Sequence, residues 1–209
     1  MPLKNLNNFQ KALKEAAKEK NKARRGIRIA ALIAEALRQI GEDPILVGGA
    51  AVEFYTEGDY TTKDIDMVAV GGAPLWNVME QLGFVRHGKD FIHEMLKIYI
   101  EFPSEKLNPS EQSDLLDVDG LPLKIISIED LIVDRLCSYK FWKSSVDGLA
   151  ALLLLELGRA DTKRLQLQAK HREVDDALQI LTRLYEEIYR KKLSKTEASA
   201  KLKDWLRSS

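Results

Sequence analysis

Residues 45–70 constrain the fold most tightly. A short apolar run, Ile45-Leu46-Val47, ends in the pair Gly48-Gly49, and a second run, from Asp64 to Val70, alternates acids with apolar residues. The first run reads as a strand, and residues 50–55 as a helix that starts at the glycine turn. Two glycines there let the backbone approach a ligand closely, because no Cβ intervenes. The helix start offers unpaired N–H groups, a geometry that suits phosphate. The second run reads as a strand over residues 64–70, so Asp64 and Asp66 project from one face and Ile65 and Met67 from the other. Aspartate is disfavoured in strands and like charges side by side repel, so this pair marks either a solvent-facing strand start or a site for a cation such as Mg²⁺.

The flanks read differently. Residues 8–40 have helical periodicity, with Ala30, Ile33, Ala34 and Leu37 on one stripe and Gly41 as the stop. Residues 74–82 read as a helix with Pro74 in its first turn, and residues 91–95, 97–102, 115–118 and 121–126 as strands. From Ser127 onward the pattern is helical. Ser127 and Asp130 form a variant capping box, and further helices are expected at 145–157, 162–190 and 195–206. The expected architecture is α+β, a mixed α/β sheet core over residues 42–126. A helical segment (1–41) precedes it and a helical bundle (127–209) follows.

Composition narrows the function classes. With 45% hydrophobic and 31% charged residues among 209, the chain is globular rather than disordered. Cys137 is the single cysteine, which excludes an intramolecular disulfide and a Cys-rich zinc site. His87, His93 and His171 have no metal-pair spacing. The longest strongly apolar stretch, residues 148–155, is far short of the roughly 20 residues a membrane span needs. The N-terminus is polar and lysine-rich without an apolar signal core, so no membrane association and a cytoplasmic location are expected. The zero net charge is segregated: net +7 over residues 1–41, −13 over 42–134 and +6 over 135–209. An acidic centre is either a solvated surface or a carboxylate site for a hard divalent ion, with basic helices to hold a polyanion.

A third acid tips that choice toward the site. Glu101 closes the strand 97–102 just before Pro103. Paired beside Asp64 and Asp66, it would complete a set able to hold two Mg²⁺ ions roughly 3.5–4 Å apart, the arrangement of in-line nucleotidyl transfer. Glu94, on the preceding expected strand, is the rival third acid. Ile98, Ile100 and Phe102 make the strand around Glu101 the stronger of the two.

The pair Gly48-Gly49, followed fifteen positions after Gly49 by Asp64-Ile65-Asp66 and later by a strand acid, resembles the nucleotidyltransferase superfamily of the DNA polymerase β type. The run Ile100-Glu-Phe-Pro-Ser-Glu-Lys-Leu107 and the helix Ser127-Ile-Glu-Asp-Leu-Ile-Val-Asp-Arg-Leu136 are similar to small bacterial stand-alone members related to abortive-infection and toxin–antitoxin nucleotidyltransferases. The likeness covers about residues 40–160. It implies that Gly48 and Gly49 hold the nucleotide phosphates and that Asp64, Asp66 and Glu101 bind two Mg²⁺ ions, Glu101 also activating the acceptor. It implies an NTP as donor, a hydroxyl on tRNA, protein or a small alcohol as acceptor, and an antitoxin as partner. Many members have Ser where this chain has Gly49, and Asp where it has Glu101.

Arg135, Lys140 and Lys143, expected on the helix after Ser127, are candidate phosphate cations. Arg135 is preferred for its bidentate geometry and Lys143 is kept beside it. Asp147 could orient a lysine or bind the nucleotide. Trp76, Trp142 and Trp205 read as core or interface anchors, His87 and His93 as satisfied structural histidines, and Cys137 as a buried small hydrophobe. Tyr99 alternates with Ile98 and Ile100 and shares a face with Glu101, where it could stack on a nucleotide. Residues 11–28 form a basic helix face, either solvated or an arm for RNA phosphates. Two other readings stay open: a nucleotidyltransferase fold that binds nucleotide or a partner without catalysis, and a purely structural interaction protein.

Overall fold

The computed structural model describes residues 2–191 and 194–208. The chain divides into two compact units, residues 1–126 and 127–209, and the N-terminal helical segment lies in the first unit with the sheet.

In the first unit, apolar residues decide what covers what. The N-terminal pattern expected as one helix is two, α1 (Leu6–Ala16) and α2 (Lys22–Arg38). Asn21 starts the second: its side chain accepts a hydrogen bond from the Arg24 N–H at 2.9 Å, satisfying a donor the helix start would leave unpaired. α2 buries Ile27, Ile29, Ala30, Ile33, Ala34 and Leu37. That stripe is wide because α2 meets α1 and, on its other sides, helices α3 (Gly48–Tyr55) and α4 (Ala73–Gln81) and the sheet.

The sheet has seven strands: β1 (Ile45–Val47), β2 (Asp64–Val68), β3 (Val85–His87), β4 (Asp90–His93), β5 (Ile98–Glu101), β6 (Ser113–Val118) and β7 (Leu121–Ile126). Their order is β3-β4-β5-β2-β1-β7-β6. β1 runs antiparallel to β2 and parallel to β7, and β2 runs parallel to β5. Register fixes the two faces. Leu46 lies beside Met67 and Ile125, and Ile65 beside Ile100, which pairs with Phe91. All six are buried and form the apolar face. The opposite face carries the acids. β6 is an edge strand on which Asp114, Leu115 and Asp117 are exposed.

Two strands of this sheet depart from expectation. β3 is an added edge strand, joined to β4 by the two-residue turn Gly88-Lys89. β4 stops at His93, and residues 94–96 form a 3-10 turn ended by Lys97 at φ 51°.

The second unit holds α5 (Ile128–Phe141), α6 (Ser145–Glu156), α7 (Thr162–His171), α8 (Asp175–Lys191) and α9 (Lys195–Ser208). The helix expected over 162–190 is broken between α7 and α8 at Glu173, φ 57°. Ser127 caps α5: its hydroxyl accepts from the Asp130 N–H at 3.3 Å and donates to the Asp130 carboxylate at 2.8 Å. The same carboxylate, 2% exposed, takes both Arg164 terminal nitrogens, at 3.1 and 2.6 Å. Buried Tyr139 donates to the Leu202 carbonyl at 3.0 Å and stacks on Trp205. Gly148 leaves room for the Tyr139 ring.

Candidate functional site

The glycine turn meets the second of the paired acids, Asp66. β1 ends at Val47, which lies beside Asp66 in the β1–β2 register, and α3 begins at the next residue. Gly48 has φ 62°, and a Cβ there would stand 2.1 Å from the Asp66 Oδ2. Only glycine fits this position, because the carboxylate occupies the space a side chain would need. The Gly49 N–H donates to that Oδ2 at 3.3 Å. The amide expected to serve a phosphate therefore serves Asp66, whose negative charge also suits the start of α3. At Gly49 a Cβ would meet the Thr62 Oγ1 at 3.0 Å and the Thr62 Cβ at 3.1 Å, a milder crowding that a shift of a few tenths of an ångström relieves.

The acid face continues across the sheet. Asp66 is in register with Glu101 on parallel β5, and Glu101 with Asp90 on antiparallel β4. Asp64 is in register with Tyr99, two residues before Glu101 and 40% exposed on the same face. The three carboxylates Asp64, Asp66 and Glu101 thus share one face of two adjacent strands. Glu94 does not: it sits in the 3-10 turn, off the strand it was expected on. Asp90 belongs to the row, and its Oδ1 is buried with no hydrogen-bond partner. No sequence pattern marked Asp90, because only strand pairing brings it opposite Glu101. Glu101 is ion-paired with Lys89 of the hairpin turn. That bond and the Glu101 charge raise the lysine's pKa, with smaller contributions from Asp90 and Asp66.

These residues fit a hard divalent cation by donor type and by the Gly48 cradle around Asp66. Among the described residues, however, no three His, Cys, Asp or Glu side chains are gathered to hold a metal ion as they stand. Glu101, the expected third ligand, is ion-paired with an ammonium instead.

Next to Asp64 lies a cleft of about 190 Å³ between α2, α3 and the starts of β2 and β5, lined in part by Arg25, Glu53, Thr62, Lys97 and Tyr99. Glu53 is only 4% exposed, and burial raises its pKa above the usual carboxylate value. Its Oε1 and the Arg25 Nε are buried without hydrogen-bond partners, while an Arg25 terminal nitrogen donates to the Leu96 and Lys97 carbonyls at 2.9 and 3.1 Å.

The cations assigned to phosphate lie in the second unit and are mostly engaged there. Arg135 donates to Asp147 at 2.7 Å and to Asp134 at 3.1 Å. Asp147 thus holds an arginine rather than a lysine. Lys140 donates to Asp176 at 2.8 Å and to the Glu173 carbonyl at 2.7 Å. Lys143 is exposed beyond the end of α5, in a left-handed conformation, not on the helix where it was expected. A larger cavity of about 650 Å³, flanked by Leu155, Leu165 and Leu178, lies wholly in this unit and contains none of the expected site residues.

The remaining expectations divide. Trp205 packs on Tyr139, and the Arg86 guanidinium lies 3.5 Å over the Trp76 ring. Trp142, expected as an anchor, is 83% exposed because it follows the last turn of α5. Cys137 is half-buried rather than buried. His93 is buried beside Phe84, but its Nδ1 lacks a partner, so it is not the satisfied histidine expected. His87 is exposed on β3.

The mixed sheet, with the glycine turn entering α3 and the acids on β2 and β5, defines a nucleotidyltransferase-like fold. A solved structure has the same fold: an antigenic nucleotidyltransferase-like protein from Paracoccidioides brasiliensis, with a TM-score of 0.52 and 15% sequence identity. The match covers 78% of this chain and 93% of that one. No family model matches the sequence, and no curated protein does. Among the described residues, no helix is long and apolar enough to cross a membrane.

Proposed function

We propose that the protein is a metal-dependent nucleotidyltransferase. It moves a nucleoside monophosphate from an NTP to a hydroxyl on RNA, protein or a small alcohol. The observation that carries this reading is the contact of the Gly48 backbone with the Asp66 carboxylate, with Glu101 in register on the next strand. Asp64, Asp66 and Glu101 would hold two Mg²⁺ ions, which when bound would neutralise the triphosphate and acidify the attacking hydroxyl. Gly48 and Gly49 fix the Asp66 side chain against the start of α3, so its orientation is set before any ligand arrives. Glu101 is the base: it takes the acceptor proton as the acceptor oxygen bonds the α-phosphorus and the bond to pyrophosphate breaks. Arg135 and Lys143 are the expected triphosphate cations. Lys143 is exposed for that role, and Arg135 would have to exchange Asp147 for a phosphate. The resemblance to toxin members suggests an antitoxin as regulator.

Labelled NTP incorporation tests the assignment, with RNA and protein acceptors, in wild type and Asp66→Ala. Incorporation in wild type alone supports it, and equal incorporation in both refutes the site. The ion pair at Glu101 favours a second reading, a nucleotidyltransferase fold that binds nucleotide or a protein without turnover. Calorimetric NTP binding with no product on any acceptor would select it.

A further inference from the structure

Glu101 has an acid on each side in the sheet, Asp66 on β2 and Asp90 on β4. Neighbouring strands stand about 4.8 Å apart, and like charges directly opposite each other destabilise a sheet. Three carboxylates in one lateral row therefore need a counter-charge. The β3–β4 hairpin brings one. Its two-residue turn has Gly88 at φ 65° in the first position, where such turns favour glycine, and Lys89 in the second. The turn delivers the Lys89 ammonium to Glu101.

We propose that Lys89 is a tethered counter-cation for the row Asp90–Glu101–Asp66 and that it competes with a divalent ion for Glu101. The proposal rests on the metal-binding reading above and adds the residue that regulates it. An ammonium satisfies one carboxylate but cannot bridge two as a divalent ion does. The Lys89 side chain is 66% exposed on a turn, so it can leave without moving either strand. The ammonium thus keeps the acid row intact without metal and yields when metal arrives. The protein avoids self-repulsion at the cost of metal affinity. The competition is modest, because an exposed ion pair is weak and water screens the charge left behind.

The test uses Mn²⁺ alone, without nucleotide, on the full chain. Mn²⁺ affinity is measured by electron paramagnetic resonance in wild type, K89Q, K89R and D66N. K89Q should bind Mn²⁺ about three- to tenfold tighter than wild type. K89R, which keeps the charge, should stay within about twofold of wild type on the same argument. In EDTA, K89Q should melt below wild type at low salt, with the gap closing at high salt as the row's repulsion is screened. Unchanged or weaker binding by K89Q, while wild type binds and D66N does not, overturns the role of Lys89 and leaves the metal site standing. No binding by either wild type or K89Q removes both.

Discussion

Replacing Gly48 by alanine should damage the protein far more than replacing Gly49. At φ 62°, Gly48 is left-handed, and placing a Cβ there costs about 1–2 kcal/mol. The new Cβ would also stand 2.1 Å from the Asp66 Oδ2 and 2.8 Å from the Asp66 Cβ, far inside van der Waals contact, so the carboxylate must swing away and the backbone must give. Leaving, it gives up the Gly49 N–H, a long charge-assisted bond worth about 1.5 kcal/mol. The sum is about 3 kcal/mol. Gly49→Ala has no left-handed penalty. Its Cβ meets the Thr62 Oγ1 and Cβ at 3.0 and 3.1 Å, a crowding that a small shift relieves, and alanine in a helix regains up to about 1 kcal/mol, so its net effect should stay within about 1 kcal/mol. The chain divides into two compact units, and two-state unfolding is not assured for such a chain, so the assay needs a local probe. In a W142F/W205F background, Trp76 alone reports on the first unit during urea unfolding. Equal stability of the two variants within about 0.5 kcal/mol, the usual spread of an inert substitution, would refute the packing of Gly48 on Asp66.

Other expectations concern both units. Arg164→Ala should destabilise the second unit by about 3–5 kcal/mol, since it removes the guanidinium that faces the buried Asp130 carboxylate. Adding Asp130→Asn should recover part of that loss, and calorimetry of single and double variants checks it. Gly148→Ala should cost about 1–3 kcal/mol by overpacking, because its Cβ would meet the Tyr139 ring at 2.6 Å; thermal melts read this directly. Burial holds the His93 pKa below its usual 6.5, so the unfolded chain takes up the proton first as pH falls. The contribution of His93 is therefore complete above pH 6.5 and is lost below it. Chemical unfolding at pH 7.5, 6 and 5 should show a decline that His93→Gln flattens.

The parts of the fold that could be read from the sequence are those written locally. The glycine pair, the alternation around Asp64 and Asp66 and the Ser127–Asp130 box each lie within a few residues and reappear in the structure. The expected pairing of β2 with the Glu101 strand also holds, since both runs are buried on their apolar sides. The helix breaks near residues 17–21 and at Glu173 escaped notice because neither carries glycine or proline. β3 escaped because all three of its residues are exposed, which removes the alternation that marks a strand. Asp90 and Lys89 escaped for a different reason. Their roles arise from residues 11 and 12 positions away in the chain, through a register that no local pattern records.

The acids belong to adjacent strands joined by backbone hydrogen bonds, and this decides what evolution can alter around them. Their lateral spacing follows the peptide ladder, about 4.8 Å per strand, not the shapes of neighbouring side chains. Helices and loops can change in sequence while the acid row keeps its scale. A chain that shares 15% identity with a structure of like fold can therefore keep the same strand spacing.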